Sequence, residues 1–194
     1  MGGSFDPIHN GHIHLCQVLK RAAGVHQVLL MPAAKPPHKR AVLTDGEHRL
    51  EMCRIAAAEL DGFAVSNLEL TLPQPSYTVN TLKNIRRAGA REVLYFFCGA
   101  DMFLSFDSWY HWEEILQYCV LCAIPRGEGS YEDMVRKARK YEQAGGKIIL
   151  SDVPELPISS TLVRQRVQDG QSIAQLVPPG VEEYIYAHHL YQNK

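Results

Sequence analysis

Residues 2–12 read GGSFDPIHNGH, which is the most informative stretch of the chain. Two glycines at its start let the backbone pass close to a ligand, and the proline stiffens the turn that follows. Asn10 or Gly11 can begin a helix, whose positive end and unpaired N–H groups favour phosphate. Because His9 and His12 lie three residues apart, both imidazoles can face one anion and donate hydrogen bonds to it. The stretch therefore predicts a phosphate-binding loop, with two ordinary surface histidines as the alternative.

Short apolar runs alternate with helical patterns along the rest of the chain. Buried strands are predicted at residues 27–31, 63–68, 92–98, 119–124 and 147–150. Helices are predicted at residues 13–23, 47–60, 78–88, 108–118 and 131–144. This alternation predicts an α/β fold with a doubly wound parallel sheet, which binds its ligands at the carboxyl ends of the strands. We expect a single domain over residues 1–194, in which residues 158–191 form two or three helices beside the sheet.

The first strand of this sheet is not evident in the sequence. A loop such as residues 2–12 should follow a central strand, yet only Met1 precedes it. We therefore expect the first strand to be missing. Either the sequence begins inside a longer natural protein that contains the strand, or the protein lacks the strand. We favour the first alternative, because loss of a central strand would leave the backbone groups of its two neighbouring strands unpaired.

The composition excludes several classes of protein. Lys and Arg total 20 against 21 acidic residues, so no global basic field exists to hold a nucleic acid or an anionic membrane. No apolar run approaches the roughly 20 residues of a bilayer span, so a cytoplasmic protein is expected. The five cysteines lie mostly in apolar stretches and are predicted to be reduced core thiols. The oligomeric state is left open, with a homo-oligomer as one alternative.

A second candidate anion site lies near the other end, where residues 157–164 read PISSTLVR. We interpret this stretch as a loop entering a helix, with Ser159 or Ser160 as the cap and neighbouring hydroxyl and backbone donors. Arg164 can present a planar charged fork to a triphosphate. In isolation a plain helix cap explains the stretch, but paired with the first loop it predicts a second phosphate cradle.

Two loops that follow predicted strands carry charged side chains. Residues 31–39 read MPAAKPPHK and present Lys35, His38 and Lys39 to a phosphate, with a solvated basic loop as the alternative. The sequence G-A-D that ends at Asp101 suits a carboxylate that binds ribose hydroxyls, although Asp101 can equally cap a helix.

Two further segments offer aromatic rings near predicted helix starts. Tyr77 and Thr78 belong to an S-Y-T sequence, in which the threonine can simply cap the helix. Trp109 and Tyr110 follow Ser108, and aromatic residues at such places are more often part of a core.

The H-x-G-H and I-S-S-T-x-x-R sequences resemble signatures of the nucleotidyltransferase superfamily of α/β phosphodiesterases. H-x-G-H alone is also similar to class I aminoacyl-tRNA synthetases. With P-P-H-K, S-Y-T, G-A-D and the Trp-Tyr pair in order, the chain from Gly2 to about Tyr191 is similar to bacterial nicotinate-mononucleotide adenylyltransferases.

This resemblance implies a Rossmann-like nucleotidyltransferase fold and transfer of the adenylyl group of ATP to nicotinate mononucleotide in NAD biosynthesis. No acidic cluster is evident, so Mg²⁺ should arrive on the ATP phosphates. The predicted donors to the transition state are His9, His12, Lys39 and Arg164. The predicted ATP-binding residues are Gly3, Ser4, Phe5, His9, His12, Gly99, Asp101, Arg126, Ile158, Ser159, Ser160, Thr161 and Arg164. The predicted residues for nicotinate mononucleotide are Lys35, His38, Lys39, Tyr77, Thr78, Trp109 and Tyr110.

Two alternatives to this function stay open. One is another small-molecule nucleotidyltransferase, such as a phosphopantetheine adenylyltransferase or a cytidylyltransferase. The other is a catalytically silent nucleotide-binding sensor, which would bind ATP without releasing pyrophosphate. The sequence does not give the preference between nicotinate and nicotinamide mononucleotide, because backbone donors around the ring are invisible at this level.

Overall fold

The computed structural model describes residues 1–34, 43–127 and 130–192, so Lys35, His38 and Lys39 lie outside the described residues. The strands are β1 Gly2–Gly3, β2 Val28–Pro32, β3 Phe63–Val65, β4 Leu94–Gly99, β5 Cys119–Ile124 and β6 Lys147–Leu150. The helices are α1 Asn10–Ala22, α2 Gly46–Ala58, α3 Leu68–Thr71, α4 Thr78–Arg87, α5 Ala100–Leu104, α6 Trp112–Tyr118, α7 Ser130–Gln143, α8 Ser160–Gln168 and α9 Pro179–Ala187. A short 3₁₀ turn covers Phe106–Ser108. Strands and helices alternate as the sequence predicts.

The described strand pairs are all parallel. β2 lies between β1 and β3, and β5 lies between β4 and β6, so the described residues form two three-stranded sheets. Helix α1 packs against β4 and β5 of the second sheet and so connects the two halves. The predicted α/β class with parallel strands is therefore confirmed, although no ladder joins the halves within the described ranges.

Helices cover both faces of the second sheet, as a doubly wound arrangement requires. Alternate residues of β5 belong to two separate cores. One face packs with α1, α8 and α9 through Val120, Cys122 and Ile124. The other face packs with α4 to α7 through Cys119, Leu121 and Ala123. The continuous apolar run of β5 follows from burial on both sides.

The cysteines confirm the prediction of core thiols. All five are free and buried. Burial raises the pKa of Cys16, Cys119 and Cys122 to about 12, so these thiols stay protonated at neutral pH. Cys119 and Cys122 lie on opposite faces of β5, so their C-x-x-C sequence does not form a metal site.

The first strand is present as β1, and the prediction that it is missing is wrong. Gly2 and Gly3 pair in parallel with Met31 and Pro32 of β2. The Met1 carbonyl extends the ladder by accepting from the Met31 N–H at 3.0 Å. A ladder needs only backbone groups, whereas the prediction looked for a run of large apolar side chains, which two glycines lack.

The predicted helix over residues 108–118 begins later, at Trp112. His111 has a left-handed backbone with φ 53°, which separates the 3₁₀ turn from α6. Residues 108–110 therefore precede the helix. The short helices α3 and α5 were not predicted, because elements of four and five residues are too short to show a helical period.

The starts of α2 and α9 each have a local cause. Asp45 caps α2 by accepting from the Glu47 N–H at 3.0 Å. Pro179 is the first residue of α9, where the missing N–H of proline is not needed. The Pro-Pro-Gly segment therefore starts a helix. Within the described ranges, no helix is long and apolar enough to cross a membrane.

Candidate active site

The loop between β1 and α1, residues 4–9, turns sharply at Phe5 and is called the amino-terminal loop below. Phe5 has φ 46°, a left-handed conformation that is uncommon for a residue with a side chain. Its ring is buried over Gly3, where an added Cβ would lie 3.1 Å from the phenyl Cζ. The same ring meets the His12 imidazole edge-on, with 5.0 Å between the ring centroids. Glycine at position 3 thus leaves room for the ring that supports His12.

His9 and His12 cap helix α1 reciprocally. The His9 Nδ1 accepts from the His12 backbone N–H, and the His12 Nδ1 accepts from the His9 backbone N–H, both at 3.3 Å. The rings stack with 3.6 Å between their centroids. Because each Nδ1 is an acceptor, a neutral ring must carry its hydrogen on Nε2. The cap therefore fixes both imidazoles as Nε2–H donors.

His9 is held in its neutral form. Its side chain is buried, with the residue only 5% exposed. Burial lowers the pKa of His9 to about 4, because the charged imidazolium would lose its hydration. At neutral pH, His9 can therefore donate a hydrogen bond without carrying a charge. The positive end of the 13-residue helix α1 adds a favourable field for an anion at the same place.

Helix α8 begins against the amino-terminal loop. Ser159 caps it by accepting from a backbone N–H of the helix at 3.1 Å. Ser160 donates its hydroxyl to the Pro7 carbonyl at 2.9 Å. Arg164 donates from Nη1 to the Asp6 carbonyl at 2.6 Å. The structure thus brings together the two stretches that the sequence singles out as anion-binding elements.

The remaining residues of the second stretch tighten this contact. The Thr161 hydroxyl accepts from Nη2 of Arg164 at 3.4 Å. The Ile158 carbonyl lies close to Gly11, where an added Cβ would be 3.3 Å from that oxygen. The first turns of α1 and α8 are therefore neighbours, and the positive ends of both helices lie beside one loop.

A third group of predicted residues follows β4. Gly99 ends this strand and precedes α5, whose first turn contains Asp101. Asp101 is exposed and forms an ion pair with Arg126. A carboxylate that the sequence interpretation missed, Glu155, accepts from the Ala100 N–H at 2.9 Å. Burial raises the pKa of Glu155, and its carboxylate packs so closely on Gly99 that a side chain there would collide with it.

The aromatic residues lie in two different environments. Tyr77 precedes α4, which starts at Thr78, and its ring lies 4.6 Å from that of Tyr110. Tyr110 is 52% exposed. The Trp109 ring instead packs on the partly buried Phe96 at 5.8 Å and on the buried Phe106 at 5.3 Å between ring centroids. The structure therefore brings Tyr77 and Tyr110 together and makes Trp109 partly a core residue.

Arg49 is a buried cation that the sequence interpretation missed. It is only 2% exposed and bonds three backbone carbonyls. Nε donates to Thr44 at 2.8 Å, and Nη1 donates to Ser4 and Ala33 at 2.7 Å each. Burial lowers the pKa of the guanidinium, and the Asp6 carboxylate partly offsets this effect. The sequence does contain a signal for the burial of Arg49. This residue lies on the same face of α2 as the buried apolar residues three and four positions later.

Comparisons with known proteins agree with this architecture. The family model described as cytidylyltransferase-like matches residues 1–166. A Thermus thermophilus protein named "probable nicotinate-nucleotide adenylyltransferase" is 39% identical over 98% of this chain and 97% of its own length. A protein of the same name from Carboxydothermus hydrogenoformans is 35% identical over 98% of this chain and 96% of its own length.

A solved structure shares the fold. Plasmodium falciparum nicotinic acid mononucleotide adenylyltransferase complexed with NaAD has a TM-score of 0.80 at 23% identity, over 98% of this chain and 94% of that chain. At this identity the likeness concerns the fold alone, whereas the bacterial relatives match at higher identity over nearly their whole length. The chain therefore belongs to the cytidylyltransferase-like family and, within it, to the nicotinate-nucleotide adenylyltransferases.

Proposed function

We propose that this chain transfers the adenylyl group of ATP to nicotinate mononucleotide, forming nicotinate adenine dinucleotide and pyrophosphate. The observation that carries the proposal is the meeting of α1 and α8 at the amino-terminal loop. This meeting supplies two helix N-termini, two imidazole donors and the guanidinium of Arg164, a combination suited to a polyphosphate. The names of the relatives supply the nicotinate nucleotide and the transfer of an adenylyl group.

The proposed reaction is a direct in-line displacement. A phosphate oxygen of nicotinate mononucleotide bonds to the α-phosphorus of ATP. The bond from that phosphorus to the bridging oxygen breaks, and pyrophosphate leaves with the electron pair. No protein nucleophile is needed, because the phosphate oxygen of nicotinate mononucleotide itself attacks. Negative charge builds on the phosphorus and on the leaving group, and fixed donors at these places lower the barrier.

We assign the donors to His9, His12 and Arg164, whose positions beside the amino-terminal loop support the assignment. Lys39 remains a predicted fourth donor outside the described residues. Neutral Nε2–H groups on the histidines suit this role, because they donate to developing negative charge without holding the product phosphate by a full charge.

We assign the adenosine of ATP to the segment after β4, with Gly99, Asp101 and Arg126, and the nicotinate ring to Tyr77 and Tyr110. The exposed ring of Tyr110 supports a stacking role. Trp109 packs on Phe96 and so anchors the segment that carries Tyr110. Thr78 lies at the same helix start. Holding both nucleotides in register can contribute about 7 to 11 kcal/mol in favourable systems.

The described residues fit a magnesium ion that arrives with ATP. Among the residues that the structure describes, no group of three or more His, Cys, Asp or Glu side chains could hold a metal ion. The carboxyl group of the loop, on Asp6, already accepts from Tyr191 and Thr44. Such surroundings suit Mg²⁺ held mainly by ATP oxygens and water, which when bound neutralises phosphate charge. We place the reaction in the cytoplasm, where free thiols such as the five cysteines persist.

An acceptor panel tests the proposal. The full chain is incubated with ATP, Mg²⁺ and nicotinate mononucleotide, nicotinamide mononucleotide or phosphopantetheine, and pyrophosphate release is followed. CTP replaces ATP in a parallel series. We expect release with ATP and nicotinate mononucleotide. Release only with phosphopantetheine or only with CTP, or ATP binding without any release, would overturn the proposal in favour of the corresponding alternative.

A further inference from the structure

Asp6 joins the amino-terminal loop to three distant segments. Its Oδ1 accepts from the Tyr191 hydroxyl at 2.7 Å, and its Oδ2 accepts from the Thr44 N–H at 3.3 Å. Its backbone carbonyl accepts from Arg164. Asp6 is only 4% exposed, so its side of these bonds is shielded from water, which makes the bonds stronger and costlier to lose.

Tyr191 comes from the carboxyl-terminal segment, after α9 has ended at Ala187. Helix α9 packs against α2 and buries Val181 and Ile185, which holds the segment near the loop. Burial, together with the nearby Asp6 carboxylate, raises the pKa of the Tyr191 phenol, so the hydroxyl keeps its proton for donation. A residue far along the chain therefore supplies a bond to the loop.

The bonds to Asp6 act on the part of the loop that supports His12. Phe5 immediately precedes Asp6 and has the left-handed conformation that a side chain disfavours, which persists only when its surroundings impose it. On the other side of Phe5, Arg49 holds the Ser4 carbonyl. Phe5 is thus fixed between two anchored residues, and its ring contacts the His12 imidazole.

We propose that Tyr191 is a positioning residue for the adenylyl transfer: its hydroxyl, through Asp6, holds the amino-terminal loop so that His12 meets the reacting phosphate. The inference rests on the proposed function of the site. Loss of the hydroxyl leaves the tyrosine ring in place and removes one hydrogen bond to a carboxylate, an interaction worth about a tenfold effect. The effect should fall on turnover, because the donors that the loop carries meet charge that builds mainly in the transition state.

The test compares Tyr191→Phe with Tyr186→Phe, which removes a hydroxyl from a half-exposed tyrosine of α9. For Tyr191→Phe we expect kcat to fall about tenfold, with KM for ATP and for nicotinate mononucleotide within about twofold of wild type. Amide hydrogen exchange of a peptide covering residues 2–12 should become about tenfold faster. Tyr186→Phe should match wild type in every readout. A normal kcat, or normal exchange in this peptide, would overturn the inference.

A second comparison separates positioning from general destabilisation. In a His12→Ala background, Tyr191→Phe should lower kcat by less than about threefold, because the residue through which it acts is absent. A full tenfold loss in that background would contradict the inference. If wild type releases no pyrophosphate, the proposed function fails, and exchange of residues 2–12 alone then decides whether Tyr191 holds the loop.

Discussion

The amino-terminal loop and the aromatic pair of Tyr77 and Tyr110 are built in opposite ways. The loop is buried and cross-linked by polar bonds from Arg49 and Asp6 to several segments. In the aromatic pair Tyr110 is half exposed and Tyr77 is partly buried, and the two rings are in contact. Buried polar networks impose one geometry, whereas exposed rings adapt to a ligand. The comparison supports our proposal that the loop is preorganised for the chemistry and that the pair serves recognition.

The largest expected effect is at Arg49, whose hydrogen bonds cross-link the buried loop. Arg49→Met keeps much of the side-chain length but leaves three backbone carbonyls, one of them fully buried, without their donor. We expect the free energy of unfolding to fall by about 4 kcal/mol, measured by denaturant unfolding. Arg54→Met is the matched control on the same helix, because Arg54 is exposed and pairs with Glu51. Its cost should stay below about 1 kcal/mol. A loss below about 1 kcal/mol at Arg49 would contradict a cross-linked loop.

The pH dependence of stability tests the burial of His9 beside His12. The unfolded chain binds a proton at His9 near pH 6.5, whereas the folded chain does so only near pH 4. Stability from this residue is therefore present at pH 7 and is lost as the pH falls from about 6.5 to about 4. Between pH 7 and pH 4 the wild type should lose about 3 kcal/mol more than His9→Asn, which keeps a capping side chain. Equal losses of unfolding free energy in wild type and His9→Asn would show that His9 is not buried. The control is His26→Asn, which changes an exposed residue and should lose as much stability as wild type.

His12→Ala removes one donor of the loop. We expect kcat to fall at least about a hundredfold, the scale for one well-placed transition-state donor. Stability should fall by only about 1 kcal/mol, through loss of the reciprocal cap. Steady-state pyrophosphate release and thermal unfolding measure the two effects. His26→Ala, at an exposed histidine, should leave kcat unchanged, and near-normal turnover in His12→Ala would refute its role.

Tyr110→Ala probes the exposed side of the comparison, where the smallest effect is expected. KM for nicotinate mononucleotide should rise about tenfold with kcat within twofold, because the ring stacks on the nicotinate in both the ground and the transition state. The free energy of unfolding should not change measurably, since the residue is half exposed. Tyr131→Ala, at an exposed tyrosine of α7, serves as the control. A fall in kcat with unchanged KM would assign Tyr110 to the chemistry instead.

Much of the fold could be predicted because its signals are local. β5 has the predicted bounds, since burial on both faces requires an unbroken apolar run. β1 could not be predicted from side chains, because two glycines carry no apolar pattern. The late start of α6 depends on the left-handed backbone of His111, which hydrophobic spacing does not reveal. The single-domain prediction remains a prediction.

The candidate site also contains residues that local sequence reveals and contacts that it does not reveal. His9, His12 and Ser159 lie at helix starts that glycine, proline and serine mark in the sequence. The bonds from Arg49 and Tyr191 to the amino-terminal loop join residues far apart along the chain, so only tertiary packing reveals them. Side-chain type and spacing therefore singled out the proposed donors, and the fold was needed to find what holds them.

The most direct test of the central claim is a double-mutant cycle on His12→Ala and Arg164→Lys, measured as kcat/KM for pyrophosphate release from ATP and nicotinate mononucleotide. Arg164→Lys keeps the charge and removes the planar fork. If both side chains bind one polyphosphate beside the amino-terminal loop, the double mutant should lose at least about fivefold less activity than the product of the single losses. Losses that multiply would contradict a shared site.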